Sequence, residues 1–184
     1  MAGVRKDKVH VVYLAAGEEF KQLEIRNLKL EMEKKFDLPD KFLLYVGDVT
    51  WNKNLPRLLE AMADTNVPFV MVGKALAEQE VDRTNPWNAD RMKVHNLAQK
   101  NKNIHLLGFV SDEDLVRLYN SATAFILPSL YEGFGLPILE AMSCGTPVIT
   151  TKCGSLPEVA GEAAYFVDAK DVISIADGVR KLFG

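Results

Sequence analysis

The sequence has few of the residues that build metal sites and disulfide frameworks. It contains 2 cysteines and 3 histidines among 184 residues. Cys144 and Cys153 are too few for a disulfide framework, and they complete no common zinc pattern with His10, His95 and His105. We therefore expect no structural metal. We interpret both cysteines as small core or loop residues of a protein in a reducing compartment.

Long apolar runs and an excess of positive charge are also missing. No apolar run approaches the roughly 18 residues of a membrane-spanning helix, and no signal-peptide core follows the charged start MAGVRKDK. With 22 Lys and Arg against 25 Asp and Glu, the net charge is -3, so the chain lacks the basic field that holds DNA or RNA. We expect a soluble, cytoplasmic protein with no membrane-spanning segment and no nucleic-acid partner.

What is present is the balance of an ordinary folded domain. Apolar residues make up 48% and charged residues 26% of the sequence, far from the composition of disordered chains. Because an average domain has roughly 150 residues, the length predicts one domain with a single core.

Short apolar runs of strand-forming residues alternate with helix-length amphipathic segments. Runs such as FLLYV, FVMV and AFIL are apolar throughout, as expected for parallel strands with helices on both faces. The alternation predicts an α/β fold with a doubly wound parallel sheet. The predicted strands are Phe42–Val46, Pro68–Val72, Ile104–Leu107, Ala124–Leu127, Pro147–Thr150 and Ala164–Val167. The predicted helices are Leu55–Met62, Ala89–Lys100, Asp112–Ser121, Leu136–Ser143 and Val172–Phe183.

Several segments carry start and stop signals. Ser111 is a predicted N-cap with Asp114 in the capping-box position, and Asn54 precedes the helix pattern LPRLLEAM. The stretch Gly73–Asp90 is predicted to be a long loop with at most a short helix. Residues 1–41 contain a lone strand pattern, VHVVYLAA, a turn at Gly17 and a charged amphipathic helix pattern, LEIRNLKLEMEKKF, which together lead into the sheet.

The loop after the fourth predicted strand, PSLYEGFGLPILEAM, has the parts of an anion site. Ligands of open α/β sheets bind outside the carboxyl ends of the strands. Gly133 and Gly135 let a ligand approach the backbone, and the helix that begins near Leu136 presents free N–H groups and its dipole to an anion. The dinucleotide fingerprint and the P-loop are both absent, because Ile138 and Pro68 stand where those motifs need glycine.

Glu140 lies one turn into that helix. Ile138, Leu139 and Met142 form the predicted apolar stripe, so Glu140 is expected to point off the core face, where it can accept two hydroxyls of a ribose or another diol. Taken alone, GFG could be only a tight turn, and Glu140 could be only a solvated surface residue. The occurrence of GFG and Glu140 in one short span favours a phosphate site.

Two further loops belong to the same edge of the predicted sheet. In GDVTWNKN, Lys53 precedes a helix, so an ammonium and a helix dipole converge there and can neutralise a diphosphate. The alternative is that Lys53 is an ordinary solvent-exposed lysine. In GFVSDED, Phe109 and Val110 offer backbone donors and acceptors suited to the edge of a nucleobase.

These segments together resemble a known family. PSLYEGFGLPILEAMSCGTPVIT, GSLPEV, GFVSDEDLVRLYNSA and YVGDVTWNKNLPRLLEAM are similar to the nucleotide-binding half of retaining glycosyltransferases of family 4, which have the two-domain GT-B fold. The resemblance runs from about Val9 to the end of the chain. It implies a three-layer Rossmann-like domain, with an interdomain crossover strand and lead-in helix in residues 1–41 and the donor nucleotide-sugar-binding domain in residues 42–184.

The resemblance also implies roles for residues. Glu132, which contacts the donor sugar, and Lys53, which contacts the diphosphate, are the implied catalytic residues. In the family, the residue that matches Glu140 binds the ribose, and the loop that matches Phe109 and Val110 frames the base. The implied substrate-binding residues are Gly47, Phe109, Val110, Phe134, Gly135, Leu136 and Glu140. Backbone N–H groups of Phe134–Leu136 hold the sugar and the distal phosphate. No metal and no cofactor is expected, since the nucleotide diphosphate sugar is the substrate.

The implied reaction is transfer of a hexose to an acceptor hydroxyl with retention, in polysaccharide biosynthesis. The NKN sequence resembles a mannosyltransferase-like subgroup, so GDP-mannose is the favoured donor and a UDP-sugar the next. Asp48 and Asn52 stand where many relatives carry an arginine. A diphosphate site with one cation in place of two is expected to be weaker, unless a group from Gly73–Asp90 replaces it.

The resemblance implies an N-terminal acceptor-binding domain that the chain does not contain, so we expect the donor half to be inactive alone and the full enzyme to be membrane-peripheral. A nucleotide-sugar sensor or interaction domain without catalysis is the first alternative. A sugar-nucleotide epimerase needs acid/base histidines, for which His105 is poorly placed in a strand. A glycosidase that uses Glu132 and Glu140 fits the residue types, but the GFG turn between them suits a phosphate better.

Overall fold

The computed structural model describes residues 5–24, 27–77, 82 and 84–184. Within these ranges six parallel strands form one sheet. Each strand predicted from Phe42 onward is present, with its ends within one residue of the prediction. The strands are β1 (Leu43–Val46), β2 (Phe69–Val72), β3 (Ile104–Gly108), β4 (Ala124–Leu127), β5 (Val148–Thr151) and β6 (Ala164–Val167).

The five helices predicted after residue 42 have the bounds that the sequence indicates. The described α-helices are α1 (Leu28–Phe36), α2 (Leu55–Met62), α3 (Lys74–Ala77), α4 (Ala89–Lys100), α5 (Asp112–Ser121), α6 (Leu136–Ser143), α7 (Leu156–Ala160) and α8 (Val172–Phe183). The short α7 was missed, because five residues are too few to show a helical period. In the predicted loop Gly73–Asp90, α3 is the short helix that was allowed for, and residues 78–81 and 83 lie outside the described part.

The order of the strands is β3-β2-β1-β4-β5-β6, so the connections run outward in both directions from the centre. β1 pairs with β2 through Leu43 and Phe69, and with β4 through Leu43 and Ala124. Since crossover connections between parallel strands are right-handed, the two halves place their helices on opposite faces. Helix contacts agree, because α2 packs on α4 and α8, whereas α5 packs on α1 and α6. The predicted doubly wound sheet is confirmed.

Burial follows from this layering. Tyr45, Phe69 and Phe125 of the three central strands are completely buried, because helices cover both faces of the sheet. The predicted N-cap of α5 is formed, since Ser111 Oγ accepts the Asp114 N–H at 3.2 Å.

The predicted strand VHVVYLAA is not formed within the described residues 5–24. The segment has no regular secondary structure and pairs with no strand there, and Val11 and Val12 are 75% and 85% exposed. Strand-type residues form a strand only where a neighbour supplies the hydrogen-bond ladder, which the sheet does not do here. The turn at Gly17 is present, with Phe20 N–H donating to Gly17 O at 3.0 Å.

The predicted N-terminal helix begins later than expected, at Leu28 in place of Leu23. The Leu23 N–H donates to the side chain of Asn120 at 2.8 Å, which commits this residue to a tertiary contact. Residues 25 and 26 of the predicted helix lie outside the described part of the chain.

Candidate functional site

Two loops meet where the strand order reverses. β1 and β4 are neighbours, but β1 continues through α2 to one side of the sheet and β4 through α6 to the other. Such a switch point leaves a crevice between the loops at the carboxyl ends of the two strands. The predicted loops 47–54 and 128–135 border this crevice.

Asn52 ties the two loops together. Its backbone oxygen accepts the Leu130 N–H at 2.7 Å, and its Nδ2 donates to Tyr131 O at 3.1 Å. Thr50 Oγ1 lies 2.7 Å from Asn52 Oδ1 and fixes the side-chain amide. Asn52, one of the two residues that stand where many relatives carry an arginine, therefore links the two loops.

Asn54 fixes the chain at the start of α2. Its φ is 61°, a left-handed conformation that Gly and Asn tolerate best, and its side chain is buried. Nδ2 donates to Pro128 O at 3.1 Å and to Ala169 O at 2.7 Å, while Oδ1 accepts from Arg57 at 2.5 Å. The sequence placed Asn54 among the helix-capping signals, but its side chain makes no capping bond. Its bonds to two other loops hold the backbone next to Lys53.

Lys53 and Glu132 come together across the crevice. Lys53 Nζ lies 2.9 Å from Glu132 Oε2, and Ser129 Oγ donates to the same oxygen at 3.1 Å. The two charged side chains are only 16% and 15% exposed. Two donors on one oxygen, one of them charged, give the carboxylate a defined position. An anion that enters here meets a cation that is already paired.

The loop after β5 holds the backbone around Glu132. Ser155 Oγ lies 2.8 Å from Phe134 O and 3.1 Å from Glu132 O, so its one proton is shared between these two acceptors. A Cβ at Gly154 would lie 2.6 Å from Glu132 O, and the φ of Gly154 is +59°, so no other residue fits without a shift. Gly154 and Ser155 begin the segment GSLPEV, but neither was among the predicted site residues. Their signal was a Gly-Ser pair after a buried strand, at the edge where ligands bind.

The α6 helix begins directly after this turn. Gly135 occupies the N-cap with a φ of +100°, and a Cβ there would meet Leu156 at 2.8 Å, so this glycine is required. Gly133 differs, since a Cβ there would meet nothing within 4 Å. Pro137 has no N–H and the Ile138 N–H donates to Gly135 O at 3.0 Å, so the Leu136 N–H is the donor that the start of α6 presents beside Glu132. Phe134 and Leu136, the neighbours of Gly135, are half-buried.

The core-facing side of α6 differs from the predicted stripe. Ile138 and Ala141 are buried, whereas Leu139 and Met142 are half-buried. A small residue, Ala141, lies against the core, and the prediction overlooked it because it counted only large apolar side chains. Glu140 consequently lies beside the packed face and is itself half-buried.

Glu140 has a neutral partner. Tyr119 OH donates to Glu140 Oε2 at 2.9 Å, and Tyr119 is completely buried. Burial raises the pKa of Glu140 above its usual value, the charges of Glu19 and Asp112 raise this pKa further, and the Tyr119 hydrogen bond opposes the shift. Glu140 is therefore a carboxylate in a partly desolvated site with acceptor capacity to spare.

The loops after β1, β2 and β3 touch backbone to backbone. Gly73 N–H donates to Gly108 O at 2.9 Å, and a Cβ at Gly73 would come within 2.1 Å of Gly47 O. Gly73 was not among the predicted site residues. Beyond Gly108 the chain exposes 78% of Phe109 and buries Val110, so of the predicted pair only the Phe109 side chain faces solvent.

The described residues contain no group of three or more His, Cys, Asp or Glu side chains that could hold a metal ion. None of their helices is both long enough and apolar enough to cross a bilayer. Cys144 and Cys153 are free thiols.

The chain is similar to two mannosyltransferases of Escherichia coli. It is 40% identical to O-antigen chain mannosyltransferase B over 141 residues, which are 73% of this chain and 35% of the relative. It is 31% identical to serotype-specific mannosyltransferase WbdA over 189 residues, which are 97% of this chain and 22% of the relative. The chain thus spans about a third or less of these curated relatives.

Solved structures share the fold. Sucrose-phosphate synthase from Thermosynechococcus elongatus matches with a TM-score of 0.73 and 25% identity, over 92% of this chain and 42% of that one. Anabaena Alr3699/HepE in complex with UDP and glucose matches with a TM-score of 0.80 and 19% identity, over 98% of this chain and 49% of that one. The family described as glycosyl transferases group 1 matches residues 27–183. Since that match covers most of the sequence, the chain belongs to the glycosyl transferases group 1 family, as its motifs implied.

Proposed function

We propose that this chain is the donor-binding part of a retaining hexosyltransferase of polysaccharide biosynthesis. The observation that carries the proposal is the Lys53–Glu132 pair at the switch point, beside the N-terminus of α6. A nucleotide diphosphate sugar has the charge for that place. Mannosyltransferases among the relatives support GDP-mannose as the donor, and the Anabaena structure with UDP and glucose supports a UDP-sugar as the next choice.

The diphosphate binds between Lys53 and the N-terminus of α6, at the Leu136 N–H. An ammonium on one side and a helix N-terminus on the other neutralise its charge from both sides. The phosphates then compete with Glu132 for Lys53, so the Glu132 carboxylate becomes available to the hydroxyls of the donor sugar. Backbone groups of Phe134–Leu136 and of Gly47 line the same space.

The nucleoside lies toward the other loops. Glu140 accepts the hydroxyls of the ribose, for which a half-buried carboxylate with spare acceptor sites is suited. The backbone at Phe109 and Val110 frames the base. Residues 42–184 form this donor domain, residues 1–41 lead into it, and the acceptor is bound by a further domain.

The same groups act during transfer. When the bond from the anomeric carbon to the diphosphate breaks, negative charge grows on the departing phosphate oxygen. Lys53 and the N-terminus of α6 are preorganised at that position, so they stabilise the transition state more than the ground state. The acceptor oxygen then bonds to the anomeric carbon with retention, and the proton of the acceptor hydroxyl passes to the departing phosphate oxygen.

A second function, nucleotide-sugar binding without catalysis, has one observation in its favour. Lys53 is the only cationic residue of the loop GDVTWNKN, and Asn52 forms hydrogen bonds with Leu130 and Tyr131. A leaving group held by one cation is activated less. The test is release of GDP from GDP-mannose in the presence of an acceptor. An enzyme releases GDP, even if slowly, whereas a sensor without catalysis does not.

A thermal-shift panel tests the proposed donor. The chain is melted with saturating GDP, UDP, ADP and their sugars, and the Tm is recorded. A ligand at about 100 times its Kd adds about 2.7 kcal/mol to the free energy of unfolding. We expect the largest rise in Tm with GDP and GDP-mannose. An unchanged Tm with all of these ligands rejects donor binding by this chain.

A further inference from the structure

The hydroxyl of Tyr119 gives the Glu140 carboxylate a fixed orientation. It donates to Glu140 Oε2 at 2.9 Å from helix α5, which packs against α6. A phenol differs from the lysine that holds Glu132, because it orients a carboxylate without neutralising its charge. Burial raises the pKa of Tyr119 well above its usual value, so the group stays a donor.

The Tyr119 ring has little freedom to turn. It is fully buried and meets the rings of Phe20 and Phe125 edge to face, with centroids 5.9 Å and 5.5 Å away. Its backbone oxygen accepts the hydroxyl of Thr146 at 2.6 Å. The hydroxyl therefore points in one direction, toward Glu140, and rings on two sides hold it there.

One of these rings comes from outside the sheet and its helices. Phe20 belongs to the segment before α1, and Asn120, next to Tyr119, binds that segment. Asn120 Nδ2 donates to Lys21 O at 3.0 Å, and Asn120 Oδ1 accepts the Leu23 N–H at 2.8 Å. The lead-in segment is thus docked at the residue that orients Glu140.

We propose that Tyr119 is a positioning residue, which holds Glu140 in the rotamer that receives the donor ribose, and that Phe20 of the lead-in segment keeps Tyr119 in place. The inference rests on the proposed function, since it assigns a supporting residue to the nucleotide site. It predicts that docking of the segment before α1 changes affinity for a ribose some distance away.

The test uses Tyr119→Phe, which keeps the ring and removes the hydroxyl. Titration calorimetry gives the Kd of GDP and of 2′,3′-dideoxy-GDP, a probe without the ribose diol, for wild type and variant. We expect Tyr119→Phe to weaken GDP about fivefold, within the range for the net contribution of one ordinary hydrogen bond, and to leave dideoxy-GDP unchanged. A merely structural loss would weaken both probes equally.

Tyr13→Phe is the matched control. It also removes a phenol that donates to a glutamate, because Tyr13 OH lies 2.5 Å from Glu158 in an exposed pair. We expect this variant to discriminate between the two probes as wild type does. Phe20→Leu tests the second half of the proposal, and we expect the same selective loss as in Tyr119→Phe, but about twofold.

The outcomes separate the proposals. If wild type binds neither probe, GDP-mannose fails as the proposed donor. If wild type binds both probes equally, Glu140 has no ribose role. If wild type prefers GDP and Tyr119→Phe keeps the whole preference, or weakens both probes alike, the positioning role of Tyr119 is overturned. An unchanged preference in Phe20→Leu overturns the role of Phe20 alone.

Discussion

Glu132 and Glu140 lie eight residues apart, yet the fold treats them in opposite ways. Glu132 lies in a loop and pairs with Lys53 and Ser129, whereas Glu140 lies in a helix and accepts from the neutral Tyr119. The first carboxylate shares a cation that an incoming anion also needs. The second has no such competition, and in the proposed site its acceptor sites are left for a neutral diol.

The supports of the two carboxylates differ as well. The backbone of Glu132 depends on the loop after β5 through Ser155, and its lysine depends on Asn54. Glu140 depends on two packed helices and on aromatic rings. Charge competition therefore governs one end of the proposed site, and side-chain orientation governs the other, so substitutions at the two ends should fail in different ways.

The largest effect is expected for Lys53→Met, which removes the cation and leaves Glu132 with Ser129. We expect the affinity for GDP to fall about tenfold or more, as for the loss of a charge-assisted hydrogen bond, while guanosine, which has no phosphate, binds as before. Titration calorimetry with both ligands measures this split.

Lys93→Met is the control for that experiment, because Lys93 is also paired with a glutamate, Glu60, but on the exposed surface. It should change neither affinity. An equal loss of GDP and guanosine binding in Lys53→Met would show that the lysine supports the fold of the loop and does not bind the diphosphate.

An intermediate effect is expected for Glu132→Gln. The amide no longer competes for Lys53, so we expect GDP affinity to be kept or to rise up to about threefold, and the extra affinity contributed by the sugar of GDP-mannose to fall. The ratio of the Kd of GDP to the Kd of GDP-mannose is measured in wild type and in the variant. Glu60→Gln serves as the control. A tenfold loss of GDP affinity would contradict the competition between Glu132 and the phosphates.

The smallest effect is a pH dependence from Glu140, whose pKa is raised by burial and by Glu19 and Asp112. In the proposed site the diol donates to the ionised carboxylate, so binding weakens when protons compete for it as the pH falls from neutrality, and this begins at a higher pH than for an ordinary glutamate. Wild type should lose its advantage over Glu140→Gln across this range.

Phosphate protonation affects wild type and Glu140→Gln alike, so the ratio of their Kd values isolates the carboxylate. Tyr119 and Cys144 also lie near Glu140, but both have raised pKa values and stay neutral there. A ratio that does not change with pH would mean that Glu140 does not titrate in this range or does not bind the diol.

The sheet and its main helices were predictable because their signals are local. FLLYV, FVMV and AFIL each specify a strand with two covered faces, and Ser111 with Asp114 specifies a helix start. The segment VHVVYLAA has the same kind of signal and forms no strand in the described chain, because a ladder needs a neighbour that the sequence pattern does not supply.

The proposed site was predictable as a set of loops but not as a set of contacts. The positions of Lys53 and Glu132 after neighbouring strands indicated one edge of the sheet. The contacts of the site join distant parts of the chain: Asn52 bridges the two loops, Asn54 binds Pro128, and Ser155 holds Glu132. Local patterns carry no information about such pairings.

The Lys53–Glu132 pair has a consequence for turnover. A carboxylate built into the protein acts as a resident competitor for the cation, so a weak monoanion gains little by displacing it, whereas a diphosphate does. In the proposed cycle, the same carboxylate reclaims the lysine once the sugar has left. The enzyme would then hold its spent nucleotide less tightly than its donor, and product release would begin inside the site itself.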